Sequence, residues 1–380
     1  IKPGDSVCIT AGSRDVANIA RIIRAICDQV KSVGAHPFII PAMGSHAGAK
    51  AEGQRGIIEG YGVTEEAMGA PIRASMDTEV IAHSRSGLEI HLDKFANAAD
   101  FLIPVGRIKA HTDFRGEVES GICKMLVIGM GKQHGAYQCH KLGFKSMAAN
   151  VKEFAGAIIE KKPNMFAIGL IENAYHQTCR IEAIPAGRIL EEEPPLLEYA
   201  KSRMAKVPFD QADILFVDET GKDISGAGMD PNVTGRSAQN GISRPFAERI
   251  VARDLTDEAH HNATGMGNVD VTTRRLFDKI DMEQPYPNSL TSRDINGFRI
   301  PIVMENDNLA IRFALHTITG ANAASGYRAM WIRDTNHVQT FYVTERLLAD
   351  TAAMPWLRTD GVALRPVFGA DGYFTGWERA

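Results

Sequence analysis

The chain has 380 residues, 44% of them hydrophobic and 23% charged. That composition supports a sizeable core divided over two domains. It excludes a disordered tail, a collagenous rod and a disulfide-stapled miniprotein. A formal net charge of -4 supplies no global basic field for nucleic acid or anionic lipid, so any anionic ligand must be held locally.

In chain order, Ser6 to Thr10 reads as a short apolar strand. Between Arg14 and Val33, apolar residues recur at helical spacing (Val16, Ile19, Ile23, Ile26, Cys27, Val30) until Gly34 stops the helix. Pro37 to Pro41 is a buried strand, Gly44-Ser45-His46 a loop, and Lys50 to Gly60 a helix. Glu79 to Ala82 and Leu88 to Leu92 form a hairpin-like pair, and Phe101 to Val105 is a further strand. Lys145 to Lys161 is helical and Phe166 to Glu172 extended, followed by the acidic, proline-containing run Glu191 to Pro195. A second set of elements begins at Ile214 to Val217 and continues with Ile250 to Arg253, Ile300 to Met304, Asn308 to His316, Ala329 to Ile332 and Gln339 to Val343. This rhythm predicts two α/β domains, 1–205 and 206–380.

The five cysteines, Cys8, Cys27, Cys123, Cys139 and Cys179, are odd in number and make no C-x-x-C pair. They fit a reducing, cytoplasmic setting better than a structural zinc or iron–sulfur site. The longest apolar runs, such as Met125 to Met130, are far too short to span a bilayer, and no signal peptide is read at the start, which opens on Ile1.

Ligands of open α/β sheets bind beyond the carboxyl ends of the strands. Ser13-Arg14, His46 and the stretch from Arg107 to His111 each follow a predicted strand. The segment Gly106 to Gly143 concentrates His111, His134 and His140 with lysines and glycines. Composition alone makes it a mobile polar loop. Lys124, between Gly121 and an apolar run, also suits a buried nucleophile. The pair His260-His261 reads as a solvated loop, because adjacent side chains rarely face one site.

Taken together, these positions resemble the lactate racemase family, whose members enclose a nickel-pincer nucleotide between an N-terminal and a C-terminal domain, which implies an active site in the cleft between the two domains. Ser13-Arg14 is similar to the family's threonine-arginine after the first strand, and Gly44-Ser45-His46 to its G-T-H. His111 resembles its second catalytic histidine, and Lys124, with Gly129 five residues on, its cofactor lysine. His140 falls sixteen residues after that lysine, where the nickel histidine stands. His134 is a rival, and spacing selects His140. Lys222 in Glu219-Thr220-Gly221-Lys222-Asp223 resembles the family's C-terminal lysine. The acidic residue usually three before the arginine is Ala11, and the glycine-rich segment Lys222 to Arg236 offers Asn232, Thr234 and Arg236 to a substrate other than lactate.

The resemblance implies a nickel pyridinium-3,5-bisthiocarboxylic acid mononucleotide joined to Lys124, cofactor-binding roles for Ser13, Arg14 and Gly129, and nickel on His140. It further implies catalytic His46, His111 and Lys222, a small 2-hydroxy acid substrate, and separate proteins that build and load the cofactor. Reversible hydride transfer from C2 would racemise or epimerise that substrate, avoiding a poorly stabilised carbanion, with two histidines exchanging the hydroxyl proton. One competing reading is a nicotinamide dehydrogenase, against which stands the lack of G-x-G-x-x-G after the first strand. Another is a non-catalytic nucleotide- or metal-binding member of the fold.

Overall fold

The computed structural model describes residues 1–13, 15–238 and 246–380, and the statements below concern these. It is a mixed α/β protein that divides into two compact units. One comprises Ile1–Met204 with Thr291–Arg293, the other Ala205–Leu290 with Asp294–Ala380.

The first unit starts with β1 (Ser6–Ala11), α1 (Ile19–Ser32), β2 (His36–Pro41) and α2 (Ala51–Gly60). An antiparallel pair follows, β3 (Thr78–His83) with β4 (Glu89–Asp93), and then β5 (Phe101–Ile103). The strands β2, β1 and β5 form a parallel sheet in that order. Successive residues of β1 and β2 enter two different cores. Cys8, Phe38 and Ile40 pack on one face, and Val7, Ile9 and Ile39 on the other. A sheet buried on both faces needs apolar residues at nearly every position, which is why these strands read as continuous apolar runs.

The strand predicted over Phe101 to Val105 is two strands. Pro104, which has no N–H to donate, separates β5 from β6 (Val105–Arg107), and β6 joins another sheet. There β6 pairs in parallel with β7 (Phe166–Glu172), which pairs antiparallel with β8 (Thr178–Pro185).

The segment that composition marks as a polar loop is largely helical. A short helix α3 (Ile122–Lys124) continues as a π-helical turn over Met125–Gly129, and α4 (Lys132–His140) follows. Ile122, Cys123, Leu126, Val127 and Met130 are buried in the same core as Phe38, and this burial holds the segment against the sheet. Next come α5 (Met147–Lys161) and α6 (Ile189–Arg203). The acidic run Glu191 to Pro195 therefore lies inside α6. Its Glu193 shares a stripe with Ile189, Leu196, Leu197 and Ala200 and is fully buried.

The second unit holds a six-stranded sheet built from β9 (Gln211–Thr220), β10 (Phe246–Leu255), β11 (Val271–Thr273), β12 (Ile302–Met304), β13 (Ala329–Ile332) and β14 (Tyr342–Val343). Their order is β12-β11-β10-β9-β13-β14, parallel except for the final strand. The chain order reverses at β9, which lies between β10 and β13, and Lys222 follows its carboxyl end. A terminal hairpin pairs β15 (Leu364–Phe368) with β16 (Phe374–Arg379). Among the described residues no helix is long and apolar enough to cross a membrane.

Candidate functional site

The loops after β1 and β2 are neighbours because their strands pair in register from Ser6 opposite His36 to Ala11 opposite Pro41. Ser13 and His46 meet there, with 2.5 Å between Ser13 Oγ and His46 Nδ1. The Tyr61 hydroxyl donates to the Ser13 carbonyl at 2.9 Å, and the Gln54 amide to the Gly44 and His46 carbonyls at 2.8 and 3.3 Å. Ala47 and Ala49, just after His46, have φ of 54° and 55°. A side chain with a Cβ is strained in that left-handed region, so neighbouring contacts must hold this loop in shape. Arg14 lies outside the described residues.

The loop containing His46 rests on the Lys124 segment, where Gly44 N–H donates to the Gly129 carbonyl at 3.4 Å. A Cβ at Gly129 would lie 2.9 Å from the Ala42 carbonyl oxygen and 2.7 Å from Met125 Sδ. Only glycine lets the two backbones approach this closely. Gly129 thus joins the two halves of the site.

On the other side, His111 Nε2 lies 2.6 Å from Lys124 Nζ. The Asp113 N–H donates to His111 Nδ1 at 3.0 Å, and the His111 N–H donates to the buried carboxylate of Glu119 at 2.7 Å. The Phe114 ring lies 4.1 Å from the imidazole. Burial first, then the positive charge of Lys124, pushes the His111 pKa well below the usual histidine value. Neutral His111 with Nδ1 accepting carries its proton on Nε2, facing Lys124. The 2.6 Å contact brings this edge of the ring directly against Lys124 Nζ.

His140 occupies the end of α4, its Nδ1–H donating to the Ala136 carbonyl at 2.6 Å. That bond leaves Nε2 with the lone pair a metal needs. Burial is the main cause of a pKa pushed down to about 4, and the Lys124 charge acts in the same direction. His111, Lys124 and His140 therefore form one electrostatically coupled group. His134 is exposed, with its ring stacked on His91 at 5.5 Å.

Sixteen residues of straight α-helix would separate Lys124 from His140 by about 24 Å. Lys124 nonetheless acts electrostatically on His140, because the helix breaks at Gly131 and Lys132, the latter with φ of 55°. A Cβ on Gly131 would lie 2.1 Å from the Val127 carbonyl oxygen, so the break needs glycine there.

In the second unit, Lys222 Nζ donates to Asn288 Oδ1 at 2.8 Å, and Asn262 Nδ2 donates to the same oxygen at 3.0 Å. The glycine-rich segment after Lys222 is tightly packed. Thr234 is buried, Asn232 Nδ2 donates to Asp230 at 2.8 Å, and Arg236 is held by Asp270 and the Ala247 and Glu248 carbonyls. Arg236 thus has a structural role in tying this segment to β10.

Sequence reading missed several buried charges around the site. Glu193 accepts the Cys123 N–H at 2.8 Å at the start of α3, and burial raises its pKa. Its place on the apolar stripe of α6 was the available signal. Glu119 pairs with Lys201 at 3.0 Å, and Asp93 with Lys132 at 3.2 Å. Among the described residues no three His, Cys, Asp or Glu side chains converge to hold a metal ion. An ion here would take His140 as its protein ligand and complete its coordination from a bound group.

No protein-family model matches the sequence, and no curated protein does. Among solved structures, the chain is similar to the lactate racemase apoprotein from Thermoanaerobacterium thermosaccharolyticum, with 16% identity and a TM-score of 0.46. The match covers 66% of this chain and 61% of that one, less than two thirds of the racemase. This likeness carries no argument about activity.

Proposed function

We propose that the protein is a racemase or epimerase of a small 2-hydroxy acid, dependent on a lysine-tethered nickel-pincer nucleotide. The observation that carries this reading is the grouping of His111, Lys124 and His140, with Lys124 Nζ 2.6 Å from a neutral imidazole. The residues fit such a group: Lys124 would carry the covalent bond, His140 Nε2 would take the nickel, and Ser13 and Arg14 would contact the nucleotide. Soft sulfur donors with one imidazole suit square-planar nickel. When bound, the group supplies an electrophilic pyridinium carbon able to accept hydride from substrate C2.

The chain's own residues then manage the hydroxyl proton. His46, which Ser13 orients, and His111 would be the two groups that exchange it. One would take the proton from one enantiomer and the other return it on the opposite face. Lys222 would pair with the substrate carboxylate, and separate proteins would synthesise and load the nucleotide. The setting would be cytoplasmic.

The test is co-production with the cofactor-synthesis machinery, followed by incubation with single enantiomers of short 2-hydroxy acids and chiral separation. Interconversion supports the reading. Nickel-loaded protein that carries the adduct on Lys124 but interconverts none of them would favour the non-catalytic alternative. Dependence on added nicotinamide nucleotide would favour the dehydrogenase.

A further inference from the structure

Lys132 and Asp93 are both fully buried, yet both are charged residue types, and neither belongs to the constellation above. Their ion pair, 3.2 Å long, lies where three segments of the site converge. Lys132 itself stands at the break between the helix bearing Lys124 and the helix ending at His140. Its ammonium also donates to the carbonyl of Pro41, the last residue of β2, from which the chain runs through Gly44 to His46. Asp93 ends β4. Its carboxylate accepts the Phe95 and Ala96 N–H groups at 2.8 and 3.0 Å, and its own N–H donates to the Met130 carbonyl at 2.8 Å. Asp93 therefore grips the helix break twice, through its backbone at Met130 and through its side chain at Lys132.

The backbone of Lys132 is left-handed, a conformation that favours glycine over any residue with a Cβ. Glycine would serve there if only the turn mattered. A lysine in that conformation, buried and paired, indicates that the ammonium is needed at this point. Apolar replacements of buried ion pairs are often neutral or stabilising, so stability alone does not account for the pair.

We infer that Lys132 and Asp93 are positioning residues, a buried electrostatic clamp that fixes Lys124, His140 and the loop containing His46 relative to one another. The clamp is a property of the protein before any cofactor arrives. Its link to catalysis and to cofactor loading rests on the function proposed above, but the melting and tautomer measurements that test it do not.

The experiment compares wild type with the Lys132→Met variant and the Asp93→Asn/Lys132→Met double variant. The double variant removes both charges, while the carbonyl oxygen of the introduced asparagine side chain can still accept the Phe95 and Ala96 N–H groups. Two quantities are read in cofactor-free protein: the thermal midpoint, and the tautomers of His111 and His140 from nitrogen-15 NMR of the imidazoles. Wild type should show His140 as the Nδ1–H form and His111 as the Nε2–H form.

The single variant should melt lower and lose the two assigned tautomers. The double variant should recover most of the midpoint yet leave His140 averaged between tautomers, and Lys124 loading in co-produced protein should fall by at least an order of magnitude. An Ile23→Val variant, altered in the core under α1, controls for destabilisation and should keep both tautomers. Wild-type tautomers in the double variant would overturn the inference, as would their loss in the Ile23→Val control. The assigned tautomers and full loading in the wild type without any racemase activity would instead count against the proposed function alone.

Discussion

Glu193 of α6 accepts the backbone N–H of Cys123 at 2.8 Å, so a buried carboxyl from a distant helix holds the residue immediately before Lys124. Its raised pKa means that protonation accompanies folding, a contribution present at low pH and lost as pH rises through the folded value. Glu193→Gln keeps an acceptor without a charge and should match or exceed wild-type stability at neutral pH. Glu193→Ala strands the N–H and should cost about 1–3 kcal/mol. Urea unfolding of the two variants at neutral pH checks the contrast.

Lys124 should carry the covalent adduct. Peptide mass spectrometry of cofactor-loaded protein would place the added mass on a Lys124 peptide. Its appearance on Lys109, Lys132 or Lys222 would contradict the assignment.

His140→Ala should lose most bound nickel, whereas His134→Ala should keep it. His134 is exposed and stacked on His91, while His140 shares the electrostatic surroundings of Lys124. Metal analysis of both variants decides between them.

His140 also makes a pH prediction. Its folded pKa, about 4, lies below the ordinary value of 6.5, so the unfolded chain binds the proton more tightly. Stability should fall as pH drops from about 6.5 towards about 4, at about 1.4 kcal/mol per unit and on the order of 3 kcal/mol in all. His111 acts in the same direction. Urea unfolding across this range should show a shallower decline for His140→Gln than for wild type.

His46→Ala and His111→Ala should each lower turnover by about 10²–10⁴-fold while nickel and adduct remain. Deuterium at substrate C2 should stay with the product in ordinary water, since neither histidine is asked to remove a carbon-bound proton. Full exchange with solvent would require proton abstraction at C2 instead.

The paired strands around β1 and β2 were legible because a doubly covered sheet demands apolar runs, and α1 because its core residues repeat at helical spacing. The split at Pro104 was less so, since both halves are apolar and only the missing N–H marks the change of partner. The glycines, histidines and lysines spread over Gly106 to Gly143 pointed to a polar loop and away from the helices over Ile122 to His140. The structure resolves this by burying one face, widening one turn and breaking the helix at Lys132. The proximity of Lys124 and His140 could be anticipated only through the resemblance, because regular helical geometry holds such a pair apart. Buried charges such as Asp93 and Lys132 carry no period of their own and emerge only in three dimensions.

The π-helical turn over Met125–Gly129 makes the stretch between Lys124 and His140 a ruler whose length matters more than its composition. Such a turn accommodates one residue more than an α-turn. Deleting one residue there would tighten it to an α-turn and remove the widening, whereas deleting one from the regular helical turns that follow would rotate everything beyond by about 100° about the helix axis. The second deletion would carry His140 away from Lys124 although both of these side chains are retained. Substitutions within Leu126 to Ile128 that conserve volume should be absorbed by the core, whereas a change in residue count in the regular turns beyond should separate the two halves of the site.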